Sequence, residues 1–214
     1  MSNDINRLEF EVDQEKADEV VKKYDSESRF RVNMGWKGKL VSIWLIIMAL
    51  FQVYSTGFSI MTTNIQRTYH LGFALVGIFL LYPASKKSSK KGFSLFDAAL
   101  AILSLIVNGY LILFFDDIVR RGAKVTSLEF VLGIIAILLI LEAGRRVLGN
   151  GLPILATIFL VYCYFGRYFP GLFEHRGFSL ERIVQHMYLV PEGIYGVALG
   201  VSATFVFLFI LFGS

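Results

Sequence analysis

The sequence predicts an all-α protein: a polytopic membrane helix bundle of about six transmembrane helices, with an amphipathic interfacial helix and a polar N-terminal segment. Two observations carry this prediction. Of the 214 residues, 55% are hydrophobic and only 18% are charged, whereas soluble domains carry roughly 25% charged residues. In addition, most of the uncharged runs reach the roughly 17 to 25 residues that a transmembrane helix needs.

The clearest candidate for a membrane span is the stretch 128–149, in which no charged residue lies between Glu129 and Glu142. Periodicity alone would also fit a buried core helix, but the end of the run favours a membrane span. Glu142 precedes Arg145 and Arg146 by three and four residues, so the three side chains share one face of a helix. An ion pair at the edge of an apolar run, followed by Gly149, is typical of a helix that leaves the hydrocarbon layer.

The other elements follow from the remaining runs. The six predicted spans cover about residues 40–58, 69–82, 93–115, 128–149, 152–166 and 192–214. The second is short for a bilayer and stops at Pro83. Residues 178–190 carry apolar side chains at helical spacing, which predicts a helix lying flat at the interface; these side chains are Leu180, Ile183, Val184, Met187 and Tyr188.

The polar N-terminal segment, residues 1–35, precedes the first span. Within it, Asp13 is placed to cap a short amphipathic helix. The basic residues between the spans predict a cytoplasmic N-terminus, with ten on the inner side and seven on the outer side. These short clusters between apolar runs argue against nucleic-acid binding, although the pI is near 9.1. Cys163, the single cysteine, has no partner for an intramolecular disulfide.

No motif of an enzyme is visible. The sequence contains no Gly-x-Ser-x-Gly, no phosphate-binding glycine-rich loop and no His-Glu-x-x-His, so we do not expect catalysis. Glu174, His175, Glu181 and His186 are close in sequence, but their spacing matches no known pattern of metal ligands. We therefore interpret them as solvated interfacial side chains and expect neither a metal nor a cofactor in this chain.

Glu142, Arg145 and Arg146 form the strongest polar cluster. Ionisable groups in a membrane can handle substrate or protons, but a position at the end of a span favours a structural ion pair with arginines that reach the interface. Asp97 and Glu192 are predicted to lie at helix N-termini, where a carboxylate suits the helix dipole.

Uncharged residues within the spans are assigned to helix packing. Gln52 and Asn108 are predicted to form hydrogen bonds between helices. Five glycines are predicted to allow close approach of helices: Gly72, Gly77, Gly109, Gly133 and Gly144.

Several short segments, taken together, point to a family. They are Leu50–Tyr54, His70–Phe73, Phe79–Pro83, Leu141–Arg146, Tyr164–Gly166, Glu174–Gly177, Glu192–Gly196, Val201–Thr204 and Phe209–Gly213. Their order resembles the N-terminal part of fused permeases of tripartite ATP-independent periplasmic (TRAP) transporters of the TAXI type. The N-terminal segment shows no such likeness.

The resemblance implies a division of labour. Residues 36–170 would be the smaller, Q-like scaffold, 171–190 the interfacial helix, and 191–214 the first helix of a larger, M-like transport part. The M-like part would carry the Na⁺ and substrate sites, and a periplasmic TAXI-type binding protein would deliver a small organic solute, typically a carboxylate. The expected location is a bacterial or archaeal cytoplasmic membrane. Because the chain ends on Phe-Gly-Ser in an apolar run, we expect it to be part of a longer protein. The alternative is a self-contained membrane assembly or sensor protein without transport activity.

Overall fold

A computed structural model describes residues 31, 35–58, 61–85 and 92–213. All regular secondary structure within these residues is helical, which confirms the all-α prediction. The helix predicted after Asp13 and the lysine-rich loop at 86–91 lie outside the described residues. In chain order the helices are α1 (Trp36–Gly57), α2 (Thr63–Leu81), α3 (Leu95–Leu113), α4 (Phe115–Arg120), α5 (Ser127–Leu148), α6 (Gly151–Phe165), α7 (Leu180–Val184) and α8 (Val197–Gly213).

Short helical turns link or interrupt these helices. Two 3₁₀ turns follow α6, at Gly166–Tyr168 and Gly171–Phe173. A π-helical turn, Gln185–Leu189, extends α7, and another, Ser202–Val206, lies within α8.

Local sequence explains where α3 and α5 begin. Each starts with a capping box, in which the N-cap side chain and an acidic side chain three residues later satisfy each other's backbone donors. The pairs are Ser94 with Asp97 for α3, and Thr126 with Glu129 for α5. Gly149 follows the last turn of α5 with φ of 83°, a conformation that favours glycine.

Four helical stretches among the described residues are long and apolar enough to cross a membrane, which is consistent with a membrane-embedded protein. They are Trp36–Gly57, Leu95–Leu113, Ser127–Leu148 and Gly151–Tyr168. The predicted second and sixth spans correspond to α2 and α8. α2 begins several residues before the prediction and so includes Arg67 and several buried polar side chains.

The bundle is built around α2, α3 and α5. α3 and α5 are antiparallel, because Asp97 near the start of α3 contacts Arg146 near the end of α5, and Tyr110 near the end of α3 contacts Glu129 near the start of α5. α2 packs along α3, while α1 and α8 pack on α2, and α6 packs on α5. Apolar side chains from the three central helices form the core, including Leu75, Phe79, Val107, Leu132 and Leu139.

The outer helices present apolar side chains outward. α6 buries no residue at all, and large exposed apolar side chains run along its length, among them Ile154, Ile158 and Phe159. Contiguous apolar surface on this scale is rare on soluble monomers and marks a surface that meets lipid or another protein.

The segment 180–189 packs more deeply than a helix that only lies on an interface. Val184 and Tyr188 are buried against α5, where Gly133 has no side chain to obstruct them. Leu180, from the same apolar set, stays half exposed. The periodic apolar side of this segment therefore contacts the bundle over at least part of its length.

Candidate functional site

The site with the most buried charge forms where α2 ends inside the bundle. The last carbonyl groups of a helix have no partner within the helix and need donors from elsewhere. Arg31 donates from Nη1 to the carbonyls of Leu80 at 2.8 Å and Phe79 at 3.3 Å. Arg146 donates from Nη1 to the carbonyl of Tyr82 at 3.0 Å. The two guanidinium groups also place positive charge at the negative end of the helix dipole.

Asp97 balances these two buried charges. Its carboxylate accepts hydrogen bonds from Nη2 of Arg31 and, at 2.7 Å, from Nη1 of Arg146. The side chains of Arg31 and Arg146 are fully buried and that of Asp97 is 1% exposed. Asp97 also accepts from the backbone N–H of Ser94 at 3.0 Å. It lies at a helix N-terminus as predicted, and its bridge between two arginines is an additional role that the sequence did not indicate.

Glu142 extends this cluster toward the surface. Arg145 binds it in a bidentate manner, with Nε and Nη2 each 2.7 Å from one carboxylate oxygen, and Arg146 donates from Nε at 2.8 Å. Arg145 also donates to the carbonyl of Ala84 at 2.9 Å. The structure thus brings the three predicted residues together on one face of α5.

Arg146 differs from the expectation that both arginines reach the interface. Its side chain is fully buried, whereas that of Arg145 is 40% exposed. The reason is that Asp97 and the end of α2 lie on the inner side of α5 and draw Arg146 inward. We name Arg31, Asp97, Glu142, Arg145 and Arg146 the arginine cluster. Three guanidinium groups against two carboxylates leave it with one net positive charge.

A second buried carboxylate lies at the other end of α3 and α5. Glu129 accepts hydrogen bonds from Nη2 of Arg121 at 2.6 Å, from the hydroxyl of Tyr110 at 3.2 Å, and from the backbone N–H and hydroxyl of Thr126, both at 2.9 Å. The hydrogen bond with Glu129 raises the pKa of Arg121. We name these four residues the Glu129 cluster. No pairing of Glu129 with Arg121 was predicted, although the two residues lie only eight positions apart in the sequence.

The two predicted polar links are both present. Oε1 of Gln52 lies 3.2 Å from Nδ1 of His70, which joins α1 to α2. Asn108 accepts a hydrogen bond from the hydroxyl of Tyr195 at 3.0 Å and donates to the carbonyl of Ser104. Asn108 therefore joins α3 to the turn before α8.

Glu192 does not lie at a helix N-terminus. The helix begins only at Val197, so that Glu192 occupies a preceding turn, 3.9 Å from Nδ1 of His186. Both side chains are largely exposed. The helix starts later than predicted because the stretch that contains Gly193 and Gly196 continues the turn beyond Pro191.

His175 has a local structural role. Its Nε2 lies 3.1 Å from the carbonyl of Tyr162, and its Nδ1 accepts from the N–H of Gly177 at 3.1 Å. The ring occupies the space that a side chain at Gly166 would fill. Within the described part of the chain, no three His, Cys, Asp or Glu side chains, Glu174 and Glu181 included, converge as metal ligands.

The predicted packing glycines differ among themselves. A Cβ atom on Gly133 would lie 2.4 Å from Cγ1 of Val184, and one on Gly72 would lie 3.3 Å from Cβ of Asn108. Gly77 and Gly144 show ordinary contacts, whereas Gly109 faces open space and is not a close approach.

A groove of about 820 Å³ opens between α3, α5 and α6. Its walls are apolar, and its polar side chains are Glu142, Arg145, Asn150 and Thr157. The hydroxyl of Thr157 donates to the carbonyl of Pro153. The remaining three polar side chains stand together where α5 ends and α6 begins.

Comparison of the chain with protein-family models, with curated proteins and with solved structures gives no match. Function is therefore inferred from the geometry and from the likeness of the sequence segments. Within the described bundle, the carboxylates of Asp97, Glu129 and Glu142 all have arginine partners. Such pairs restrain the segments that carry them, and each of these carboxylate charges is balanced by a guanidinium group.

Proposed function

We propose that the chain is the membrane scaffold portion of a sodium-coupled TRAP-type secondary transporter. The complete transporter would take up a small organic solute, a carboxylate, delivered by a periplasmic binding protein. The observation that carries this proposal is that α3 and α5 are tied at both ends, by the buried Asp97–Arg146 ion pair at one end and by the hydrogen bond from Tyr110 to Glu129 at the other. A bundle fixed in this way resists relative motion of its helices, which is what a scaffold for a moving partner requires.

The outer surface of the bundle supports the same proposal. α6 exposes apolar side chains along its length, and α8 exposes Phe205, Phe209 and Phe212. In the proposed arrangement lipid covers α6. α8 belongs to the M-like part, and its exposed side chains contact the remainder of that part. α2 and α8 complete six spans, and the N-terminus lies on the cytoplasmic side.

The Na⁺ and solute sites belong to the M-like part in this proposal. The charged groups of the scaffold then serve assembly, and the solute path lies elsewhere. The segment 171–190 braces the scaffold at the membrane surface through its exposed residues, while Val184 and Tyr188 hold it to α5.

The decisive experiment is sodium-driven solute uptake in proteoliposomes. The scaffold and the M-like part, supplied with the binding protein, should together give uptake that neither gives alone. A cysteine placed at Phe209 on α8 should cross-link to a cysteine in the remainder of the M-like part, and one placed at Phe159 on α6 should not. Full uptake without the scaffold would contradict the proposal. A defined membrane assembly formed by this chain alone, with no effect on uptake, would favour the self-contained assembly or sensor protein.

The position of the 171–190 segment has its own test. In a Cys163→Ser background, a spin label at Leu180→Cys should be accessible to water-soluble and to lipid-soluble relaxation agents to the degree typical of the headgroup region. A label at Phe159→Cys should report the hydrocarbon region. Full water accessibility at Leu180 would remove the interfacial brace from the proposal.

A further inference from the structure

The groove between α3, α5 and α6 has the length of one lipid leaflet. It is lined by Phe96 through Leu103 on α3 and by Ile135 through Arg145 on α5. At 1.5 Å per residue these stretches measure about 10 and about 15 Å. Half the hydrocarbon thickness of a bilayer is also about 15 Å. The groove is therefore long enough for the greater part of one acyl chain.

The polar groups of the groove are placed as a lipid would require. Over most of its length the walls are Leu, Ile and Phe side chains, and the one hydroxyl there is satisfied by Pro153. Glu142 and Arg145 line the groove near the end of α5, and Asn150 lines it at the start of α6. A ligand that fits must have an apolar tail and a polar head at the same end as Arg145.

Charge identifies the head. The arginine cluster carries one net positive charge, and Arg145 is its exposed cation. Glu142 and Ala84 occupy Nε and Nη2 of Arg145, whereas Nη1 has no hydrogen-bond partner among the described residues. Asn150 is exposed, and its side chain does not cap α6. An anionic oxygen would gain a charge-assisted hydrogen bond from Nη1 and a neutral one from Asn150.

We infer that this groove binds one acyl chain of an anionic phospholipid, with the phosphate of the headgroup against Arg145 and Asn150. The inference rests on the membrane location that the proposed function requires. The acyl chain would fill the groove between α6 and the α3–α5 pair and so fix the angle between α5 and α6. It would also neutralise the surplus charge of the arginine cluster.

The test measures lipid binding to the purified full chain by native mass spectrometry, with phosphatidylglycerol and phosphatidylcholine of identical acyl chains as probes. The wild-type protein should retain one phosphatidylglycerol in preference to phosphatidylcholine. Arg145→Gln should weaken phosphatidylglycerol binding about fivefold, the effect of one basic group near a lipid surface. It should weaken phosphatidylcholine binding less, because the choline group balances the charge of that lipid's phosphate, so the preference for phosphatidylglycerol should shrink. Arg145→Lys should keep the preference. Arg120→Gln, which removes the same charge from an exposed site on α4, is the matched control.

A second pair of variants tests the groove independently of the headgroup. Leu103→Trp fills the groove and should lower the binding of both lipids. Ile102→Trp, one residue away and outside the groove, should leave binding unchanged. Equal retention of the two lipids by the wild-type protein, or normal lipid binding by Leu103→Trp, would overturn the inference. A groove occupied by a second copy of the chain would do so too, and would appear as a dimer that Leu103→Trp disrupts.

Membrane extraction separates this inference from the proposed function. If alkaline carbonate released the chain from membranes, the chain would not be embedded in the bilayer, and both proposals would fail. A chain that stays in the membrane and shows no preference for phosphatidylglycerol would remove only the lipid site.

Discussion

The two ends of the α3–α5 pair each bury a carboxylate, but they are assembled in different ways. The Glu129 cluster draws its partners from residues 110–129, which form one continuous helix–turn–helix connection. The arginine cluster joins residues that are distant in sequence: Arg31 is 66 residues from Asp97, and Arg146 is 49 residues from it. The first is a local cap on a hairpin, whereas the second fixes the relative positions of three separate parts of the chain.

This difference follows from where helices end. The connection between α3 and α5 keeps its polar groups near solvent, and the side chain of Arg121 is 35% exposed. α2 instead ends inside the bundle, so its carbonyls need donors that must themselves be buried. Buried guanidinium groups then require a buried carboxylate, because an uncompensated charge in an apolar interior costs several kcal/mol. The end of α2 thus explains the presence of Asp97.

The largest expected effect comes from Asp97. Asp97→Asn leaves Arg31 buried without a counter-charge and leaves Arg146 with Glu142 alone, and removing one partner of a buried pair costs about 3–5 kcal/mol. We expect strongly reduced thermal stability in detergent. Asp116→Asn, which removes an exposed carboxylate from α4, is the control and should change little. Near-native stability of Asp97→Asn would mean that the arginine cluster does not hold the bundle together.

Glu129→Gln should have a smaller effect. It removes the ion pair and weakens the capping box, but Arg121 is partly exposed and regains water. Hydrogen bonds to charged groups contribute about 1.5–3 kcal/mol, and we expect a loss near the middle of that range in urea or thermal unfolding. Thr126→Ala removes the cap and one hydrogen bond to the Glu129 carboxylate but keeps the ion pair, and it should cost about 1 kcal/mol. A loss for Glu129→Gln as large as that for Asp97→Asn would end the distinction between a local and a long-range cluster.

Gly133→Ala tests how the 180–189 segment is held to the Glu129 end. The added Cβ would lie 2.4 Å from Val184, and overpacking of this kind costs about 1–3 kcal/mol. Gly109→Ala places the same atom in open space on α3 and should be neutral or stabilising, since alanine favours helix. Hydrogen exchange should show faster opening of residues 180–189 in Gly133→Ala alone. Unchanged exchange would show that this segment does not depend on contact with α5.

The sequence predicted the features that depend on near neighbours. The limits of α5 differ from the predicted limits by one residue at each end, because a capping box precedes the apolar run and a positive-φ glycine follows the last turn. The placement of Glu142 beside Arg145 and Arg146 followed from helical spacing. Both signals lie within a few residues and need no knowledge of the fold.

The features that were not predicted depend on distant neighbours. Nothing near Asp97 indicates Arg146, since their contact exists only after α3 and α5 pack antiparallel. The same holds for Arg31, whose burial depends on where α2 ends. The start of α8 was placed too early because an uncharged glycine-containing stretch is compatible with either a turn or a helix. Resolving it requires the contact between Gly193 and Met187 that the fold creates.

Glu142 gives the smallest expected effect and the sharpest functional test. It is partly exposed, and in Glu142→Gln Arg146 keeps Asp97 while Arg145 regains water, so the loss should lie within the roughly 0–1 kcal/mol typical of exposed pairs. In the proposed transporter, Glu142→Gln should lower yield or stability slightly and leave the ratio of sodium to solute unchanged in flux measurements. Arg145→Gln, which breaks the same pair from the other side, should show equal coupling. An altered ratio in Glu142→Gln alone would mean that this carboxylate takes part in ion movement, and the arginine cluster would then belong to the transport path instead of the scaffold.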